Sequence, residues 1–313
     1  MNEIADPWRR SEVLVGGIEA GGTKFVCGIG VDPTAGLIVR AEFPTGDSPK
    51  QLLPELVDWF AAQQRRHVKL AALGIASFGP VDLHKDSPTY GYITSTPKRS
   101  WAQTDLISPF QKRLANIPIA FDTDVNGAAL GEFFWGGAAG LSDFIYITMG
   151  TGIGVGIMTA GRLLHGLIHC EAGHIRIPRL RGDEFPGVCP FHGDCWEGLC
   201  CGPAIQARTG IAAQNLPSDH PAWRLEAGYI AMALANLICT LSPQRILLGG
   251  SVPKAGGPNL DNENAFFHDI RQQTCQQLNG YIQSPSLGSD AIRDYIMAAK
   301  LNSDAGIWGA IAL

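Results

Sequence analysis

The stretch that decides the fold is VLVGGIEAGGTKFVCGIGV, residues 13–31. Apolar residues on both sides of an Ala-Gly-Gly-Thr turn predict strands over residues 13–18 and 25–31, and a further apolar run predicts a strand over residues 37–43. The connections between these strands are short, which is typical of a hairpin-like arrangement. The sequence therefore predicts an antiparallel opening to the first sheet.

The same pattern recurs in the second half of the chain. Residues 144–148 and 155–159 read as strands around another glycine turn. Predicted helices begin after Ser48-Pro49 and cover 125–135, 223–241, 262–278 and 304–313, the last capped by Asp304. Short apolar runs predict strands over 70–76, 117–121, 245–248 and 295–299. We infer a duplicated α/β architecture of two lobes with a cleft between them.

Composition describes a globular protein of 313 residues, of which 45% are hydrophobic and 17% charged. The net charge of −5 argues against a nucleic-acid surface, because phosphate contacts need clustered Lys and Arg. Residues 1–7 contain no apolar segment of a signal peptide, and no apolar run reaches the ~18 residues of a membrane span. We expect a cytoplasmic protein that binds neither nucleic acid nor membrane, with reduced or metal-bound cysteines.

The two glycine turns are candidate phosphate-binding loops. Residues 17–24 nearly satisfy the P-loop pattern, but Thr23 takes the place of its lysine and a strand follows instead of a helix. Backbone N–H groups and the Thr23 hydroxyl could still hold a phosphate. In the second loop glycines alternate over 150–156, which on a strand would leave one side bare for a ligand. Either loop alone could be an ordinary turn, but two at equivalent places favour phosphate binding.

Asp124 is the candidate general base. It lies in FDTDVN, residues 121–126, between a predicted buried strand and a predicted helix. Open α/β sheets bind ligands at the carboxyl ends of their strands, and a carboxylate there can take a proton from a substrate hydroxyl during phosphoryl transfer. The alternative is a helix cap, a role that Asp fills well.

Four residues with the spacing of zinc ligands lie in one segment, namely His174, Cys189, His192 and Cys195. Four protein ligands leave no open position, so we predict a structural Zn2+ that orders a long loop. The alternative is a catalytic zinc with water in its fourth place. Glu171 and Glu197 are close in sequence to the ligands, and the zinc would orient both toward a substrate.

These motifs resemble those of the ROK family (repressors, open reading frames and kinases) of the actin/hexokinase-like, ribonuclease H-like superfamily, and more closely its bacterial fructokinases. They cover nearly the whole chain in family order: EAGGTKF at 19–25, ASFGP at 76–80, TSTPK at 94–98, DTDVNGAA at 122–129, the glycine loop 148–156, EAGH at 171–174, CPFHGDCWEG at 189–198 and LLGGS at 247–251. The resemblance implies a homodimeric sugar kinase that uses ATP and Mg2+, with two lobes that close on fructose.

The resemblance also implies roles for individual residues. Asp124 falls on the catalytic Asp of the family, and His174 falls on a sugar position besides ligating zinc. The other implied sugar-binding residues are Gly79, Pro80, Thr96, Thr123, Glu171 and Glu197. The implied ATP-binding residues are Gly21, Gly22, Thr23, Lys24, Thr148, Gly150, Thr151, Gly152, Gly202, Pro203, Gly249 and Gly250. The implied lobes are residues 1–126 with the terminal helix 300–313, and residues 127–299, which carry the zinc segment and the adenosine site.

Three departures from the ROK glucokinases indicate the sugar. This chain has Glu19 where those kinases have Asp, Thr123 where Asn precedes the catalytic Asp, and His192 where a third Cys is usual. The fructokinase subgroup shares all three, so the resemblance favours fructose. Glucokinase or mannokinase activity is the alternative. A sugar-sensing repressor is disfavoured, because only 12 residues precede the first predicted strand and a DNA-binding module needs ~50.

Overall fold

A computed structural model describes residues 13–65, 69–114, 117–256 and 264–313. The chain forms two compact units. Unit 1 comprises residues 1–135, 165–169 and 304–313, and unit 2 comprises residues 136–164 and 170–303. Residues 1–7, on which the expectation about a signal peptide rests, lie outside the described residues.

The predicted helices and strands occur in the predicted order, and short elements that the sequence did not predict lie between them. The strands are β1 Leu14–Ala20, β2 Lys24–Gly30, β3 Leu37–Pro44, β4 Leu70–Ser77, β5 Tyr92–Ile93, β6 Thr104–Asp105, β7 Ile119–Thr123, β8 Phe144–Met149, β9 Ile153–Thr159, β10 Arg162–Leu163, β11 Arg245–Gly249 and β12 Ile296–Ala298. The helices are α1 Pro49–Arg65, α2 Ser108–Arg113, α3 Asp124–Trp135, α4 Trp196–Cys200, α5 Gly202–Thr209, α6 Ala222–Leu241, α7 Ser251–Ala255, α8 Ala265–Leu278, α9 Ile292–Tyr295 and α10 Ala305–Ala312. The elements that the sequence did not predict are β5, β6, β10, α2, α4, α5, α7 and α9.

The main sheet of unit 1 has the strand order β3-β2-β1-β4-β7. β2 pairs antiparallel with both β1 and β3, whereas β1, β4 and β7 run parallel. The predicted antiparallel opening is therefore confirmed. The parallel part follows from the connections, because α1 leads into β4 and α2 leads into β7, and parallel strands need such crossovers.

Helices cover both faces of this sheet, as two adjacent glycines of β1 show. A Cβ at Gly16 would lie 2.9 Å from the Phe60 ring of α1, and a Cβ at Gly17 would lie 2.8 Å from Ile311 of α10. Because successive strand residues point to opposite faces, α1 and α10 lie on opposite sides. Burial from both sides accounts for the nearly continuous apolar runs of β1 and β4.

The main sheet of unit 2 repeats this topology, with the order β10-β9-β8-β11-β12. β9 pairs antiparallel with β8 and β10, and β8, β11 and β12 run parallel. The predicted duplication is confirmed. Within the described residues, α6 is the one helix long and apolar enough to cross a membrane, but 61% of its apolar window is buried inside the unit. It packs along α8 as a core helix does.

Two local expectations are wrong. The glycines of the second loop do not all lie on one strand, because the hairpin needs residues 150–152 to reverse direction between β8 and β9. Gly150 and Gly152 therefore lie in the turn, and only the last two glycines of the run lie on β9. Asp304 precedes α10 but does not cap it with its side chain, since its carboxylate accepts a hydrogen bond from Arg40 Nη1 at 3.0 Å.

The boundaries of the compact units differ from those of the predicted lobes. The predicted division after residue 126 falls inside α3, whereas unit 1 keeps the whole helix. The reason is that α3 packs along α10, where a Cβ at Gly309 would overlap the Gly127 carbonyl. Unit 1 also includes residues 165–169, which were predicted in the second lobe. The predicted start of a helix at residue 262 lies outside the described residues, and α8 is described from Ala265.

Candidate active site

Asp124 is the first residue of α3, directly after β7. The helix cap is supplied by Thr123, whose Oγ1 accepts the Asn126 N–H at 3.1 Å. Asp124 makes a shorter-range contact, accepting the Val125 N–H at 2.8 Å. Burial raises the pKa of Asp124 to about 6. The side chain is ionised at neutral pH, and its pKa is close to the value at which a general base works best.

The turn that carries Asp124 is held by Asp122, which sequence reasoning missed. Asp122 Oδ1 accepts hydrogen bonds from the Thr123 N–H and from the Asn126 side-chain amide, each at 2.7 Å. Its Oδ2 lies 2.8 Å from Nε2 of His165. Asp122 is 5% exposed, so these partners replace water around a buried carboxylate. Asp122 thus holds the Thr123 backbone on one side of the candidate base and the Asn126 side chain on the other.

The first glycine turn is short and open. The Gly21 N–H donates to the Lys24 carbonyl at 3.0 Å, and the Thr45 hydroxyl donates to the Gly21 carbonyl at 2.7 Å. A Cβ added at Gly22 would meet nothing within 4 Å. Lys24 is exposed, and its Nζ lies 2.8 Å from Glu42. The turn is thus held by its own backbone and by Thr45, and it leaves room for a ligand above Gly22.

Glu19 lies at the end of β1, just before this turn. Burial, and secondarily the charge of Asp124, raise the pKa of Glu19 to about 7. The two carboxyl groups are therefore close enough to influence each other's titration. The two carboxylates lie at the carboxyl ends of β1 and β7, which run parallel on either side of β4. Such a pair is a donor set that suits a hard divalent cation such as Mg2+.

The second glycine turn is held by other parts of unit 2. The Gly150 carbonyl accepts the Gly202 N–H at 2.8 Å, at the first residue of α5. Gly250 has a φ of +93°, and a Cβ there would overlap the Met149 backbone. Backbone contacts thus bring together the turn after β8, the turn after β11 and the start of α5. The unit 2 residues predicted to bind ATP, with Thr148, Thr151, Pro203 and Gly249 among them, belong to these segments.

Glu197 links this turn to the zinc segment, a contact that the sequence did not predict. Its Oε2 accepts the Ile153 N–H at 2.9 Å, and a Cβ at Gly152 would lie 2.6 Å from the same oxygen. Its Oε1 lies 4.0 Å from Nδ1 of His174. Glu171 is exposed, and its carbonyl accepts the His174 N–H at 3.0 Å. Glu197 therefore stands between the glycine turn and the metal ligands.

The four predicted zinc ligands come together in unit 2, with all ligand atoms within 4.8 Å of one another. Cys189 Sγ lies 3.7 Å from His174 Nδ1 and 3.6 Å from His192 Nδ1, and Cys195 Sγ lies 3.4 Å from His174 Nδ1. Tetrahedral zinc, with bonds of about 2.3 Å to sulfur and about 2.0 Å to nitrogen, separates the two atoms by about 3.5 Å. The donor set and its spacing fit Zn2+.

The remaining predicted sugar-site residues lie in unit 1. Gly79 and Pro80 form the turn after β4, and a Cβ at Gly79 would lie 3.2 Å from the His169 ring. The Thr96 side chain is buried, and its Oγ1 accepts the Lys98 N–H at 3.3 Å. His165 and His169 were not predicted. The signal that could have found them is the run of histidines leading up to Glu171 in HGLIHCEAGH, residues 165–174.

Comparison with known proteins identifies the family. The sequence model of the ROK family matches residues 15–313. This chain belongs to the ROK family. A ROK hexokinase structure from Thermus thermophilus is similar in fold, with a TM-score of 0.75 at 22% identity over 96% of this chain and 97% of that chain. The actin/hexokinase-like fold expected of a ROK protein is confirmed.

Relatives of this ROK protein differ in how similar they are to it. A fructokinase from Pediococcus pentosaceus is 39% identical over 96% of this chain and 97% of its own length. A fructokinase from Zymomonas mobilis is 38% identical over 97% of both chains. A glucokinase from Streptomyces coelicolor is 26% identical over 95% of this chain and 96% of its own length. The ROK fructokinases are thus more similar to this chain than that glucokinase.

Proposed function

We propose that this ROK protein is a fructokinase, which transfers the γ-phosphoryl group of ATP to O6 of D-fructose and releases fructose 6-phosphate and ADP. Asp124 takes the proton from the 6-hydroxyl as the oxygen attacks phosphorus and the bond to the ADP oxygen breaks. The observation that carries this role is that Thr123 caps α3, while Asp124 has a pKa of about 6. Its carboxylate is therefore ionised at neutral pH, and the helix cap does not depend on it.

Fructose is favoured over glucose by two observations. The fructokinases of Pediococcus and Zymomonas are 39% and 38% identical to this chain, against 26% for the Streptomyces glucokinase. The residue before the base is Thr123, whose Oγ1 already accepts a helix N–H, so it presents a different group to the sugar from the Asn of ROK glucokinases. Gly79, Pro80, Thr96, Glu171, His174 and Glu197 complete the proposed sugar site. A hexose kinase of other specificity is the second candidate.

The proposed ATP site uses both glycine turns. Residues 21–24 of unit 1 would bind phosphate through backbone N–H groups, and the unit 2 residues around Gly150, Gly202 and Gly249 would bind the rest of the nucleotide. Glu19 is the residue proposed to hold Mg2+, since a cation would favour the charged form of a carboxyl whose pKa burial and Asp124 raise to about 7. Mg2+ supplies charge neutralisation on the transferred phosphoryl group.

The proposed role of Zn2+ is structural. His174, Cys189, His192 and Cys195 would fill the four positions of a tetrahedral ion and leave no place for a reactive water. The ion would fix the segment that carries Glu171 and Glu197. A cytoplasmic, homodimeric protein completes the proposal.

A hexose panel tests the proposed function. Purified protein with ATP and Mg2+ should phosphorylate fructose with a kcat/KM well above those for glucose and mannose. A site that hydrogen-bonds each sugar hydroxyl rejects analogues that leave its polar groups unpaired. A higher kcat/KM for glucose or mannose would show a hexose kinase of other specificity, the second candidate. Failure to phosphorylate any hexose would exclude both candidates.

A further inference from the structure

Residues 165–169 belong to unit 1, although the chain on both sides of them belongs to unit 2. A histidine stands at each end of this segment. His165 Nε2 lies 2.8 Å from Asp122 Oδ2, beside the turn after β7. His169 Nε2 accepts the Val81 N–H at 3.1 Å, in the turn after β4. The segment is thus tied at both ends to the turns of unit 1 that carry the proposed base and part of the proposed sugar site.

The His165 contact completes the partners of a buried carboxylate. Asp122 Oδ1 is occupied by the Thr123 N–H and the Asn126 amide, each at 2.7 Å. Oδ2 faces His165, and the hydrogen bond to Asp122 raises the pKa of the imidazole. The Asn126 amide nitrogen also lies 3.3 Å from His165 Nε2. Removing the imidazole would leave a carboxylate oxygen of Asp122, which is 5% exposed, without this donor.

Asp124 lies between the two residues that Asp122 holds. A shift of Asp122 moves the Thr123 backbone on one side and the Asn126 side chain on the other, and with them the direction of the Asp124 carboxylate. We propose that His165 is a positioning residue for Asp124: by donating Nε2–H to Asp122, it holds the β7–α3 turn in the geometry that proton transfer needs. This inference rests on the proposed fructokinase function and adds a residue from a distant part of the sequence to its machinery.

His165 is suited to a test because its loss does not threaten the core. Its side chain is 40% exposed, whereas that of Asp122 is 6% exposed. A glutamine at this position can place its amide nitrogen close to where Nε2 of the imidazole lies, and so can restore the hydrogen bond without the ring or the charge. Leu167, in the same segment, is 91% exposed and serves as the matched control.

The experiment compares H165A, H165Q and L167A with the wild type in kcat, in the KM values for ATP and fructose, and in Tm. We expect H165A to lower kcat about tenfold or more, because small displacements of a catalytic group are costly. The KM for ATP and the Tm should change little. H165Q should recover most of the lost kcat, and L167A should match the wild type.

Coupling between His165 and Asp122 gives an independent check. D122N should lower kcat as well, and adding H165A to D122N should lower it much less than H165A does alone, because both changes remove one interaction. An H165A enzyme with kcat within twofold of the wild type overturns the inference, as does an H165Q enzyme as slow as H165A. Those results leave the fructokinase proposal intact, whereas a wild type inactive on hexoses overturns the proposed function itself.

Discussion

The two glycine turns occupy equivalent places in two sheets of the same topology, yet they are held differently. The turn of unit 1 is held by its own backbone and by Thr45, just after β3, and a Cβ at Gly22 would meet nothing within 4 Å. The turn of unit 2 is braced by Glu197, by the start of α5 and by the turn after β11, and a Cβ at Gly152 would lie 2.6 Å from Glu197. Duplication has preserved the strands and not their surroundings.

The difference separates the proposed tasks of the two units. Near the unit 1 turn lie two carboxyl groups, Glu19 and Asp124, whose pKa values burial raises to about 7 and about 6. Glu197 contacts the unit 2 turn and also lies near His174, a proposed zinc ligand. Unit 1 thus holds the groups suited to proton transfer, and in unit 2 Glu197 connects the glycine turn to the proposed metal site. Substitutions at defined residues test this contrast.

The largest effect is expected at Asp124, the proposed general base in unit 1. Asp124→Asn should lower kcat by roughly 10²–10⁴, because the amide cannot accept the proton of the sugar hydroxyl. The fold should remain, since Thr123 caps α3. Steady-state kinetics with fructose and a nucleotide-binding titration check this. A variant with near wild-type kcat would reduce Asp124 to a structural residue.

The two turns can be compared directly by the same substitution in each. Gly22→Val places a side chain in open space above the unit 1 turn, so it should raise the KM for ATP about tenfold, equivalent to about 1.4 kcal/mol, and leave the KM for fructose unchanged. Gly152→Val should raise both KM values, because the new side chain displaces Glu197. If both variants changed the KM values for ATP and fructose by the same factors, the contrast between the turns would be wrong. Tm measurements control for loss of fold.

Metal removal should act on unit 2 and its sugar contacts. Cys189→Ser, or chelation followed by restored Mg2+, should lower Tm and reduce kcat/KM for fructose several-fold or more, because Glu171 and Glu197 lose their orientation. Structural zinc contributes ~10–16 kcal/mol of apparent binding free energy in small peptides, although a protein with two cores should not unfold completely without it. Metal analysis should find one zinc per chain.

The matched control for Cys189→Ser is Cys239→Ser, since Cys239 is an exposed thiol outside the ligand set. It should behave as the wild type in Tm, zinc content and activity. A metal-free protein with full activity on fructose would contradict both the zinc site and its proposed role in shaping the sugar pocket.

What the sequence predicted is what local patterns encode. The strand–turn–strand units, the position of Asp124 after a buried strand and the spacing of the zinc ligands are readable because neighbours along the chain determine them. The contacts that were missed join residues far apart in sequence. Glu197 is 44 positions from Ile153, and His165 is 43 positions from Asp122. No periodicity marks such pairs, because only the packed fold brings them together.

The remaining prediction is the pH dependence that the unit 1 carboxyls impose. Asp124 must be ionised to act as a base, and burial raises its pKa to about 6. Below pH 6 the kcat/KM for fructose should fall about tenfold per pH unit, because a protonated Asp124 cannot accept the proton of the sugar hydroxyl.

Stability should show the opposite trend. A carboxyl whose pKa is raised in the folded state favours folding below its unfolded pKa, and this contribution is lost as pH rises through its folded pKa, here about 6 for Asp124 and about 7 for Glu19. Tm should therefore decline between pH 5 and 7 by an amount that Asp124→Asn reduces, because the amide carries no charge to desolvate. A decline of the same size in that variant would show that other groups cause it, and a flat kcat/KM profile from pH 5 to 7 would contradict Asp124 as the titrating base.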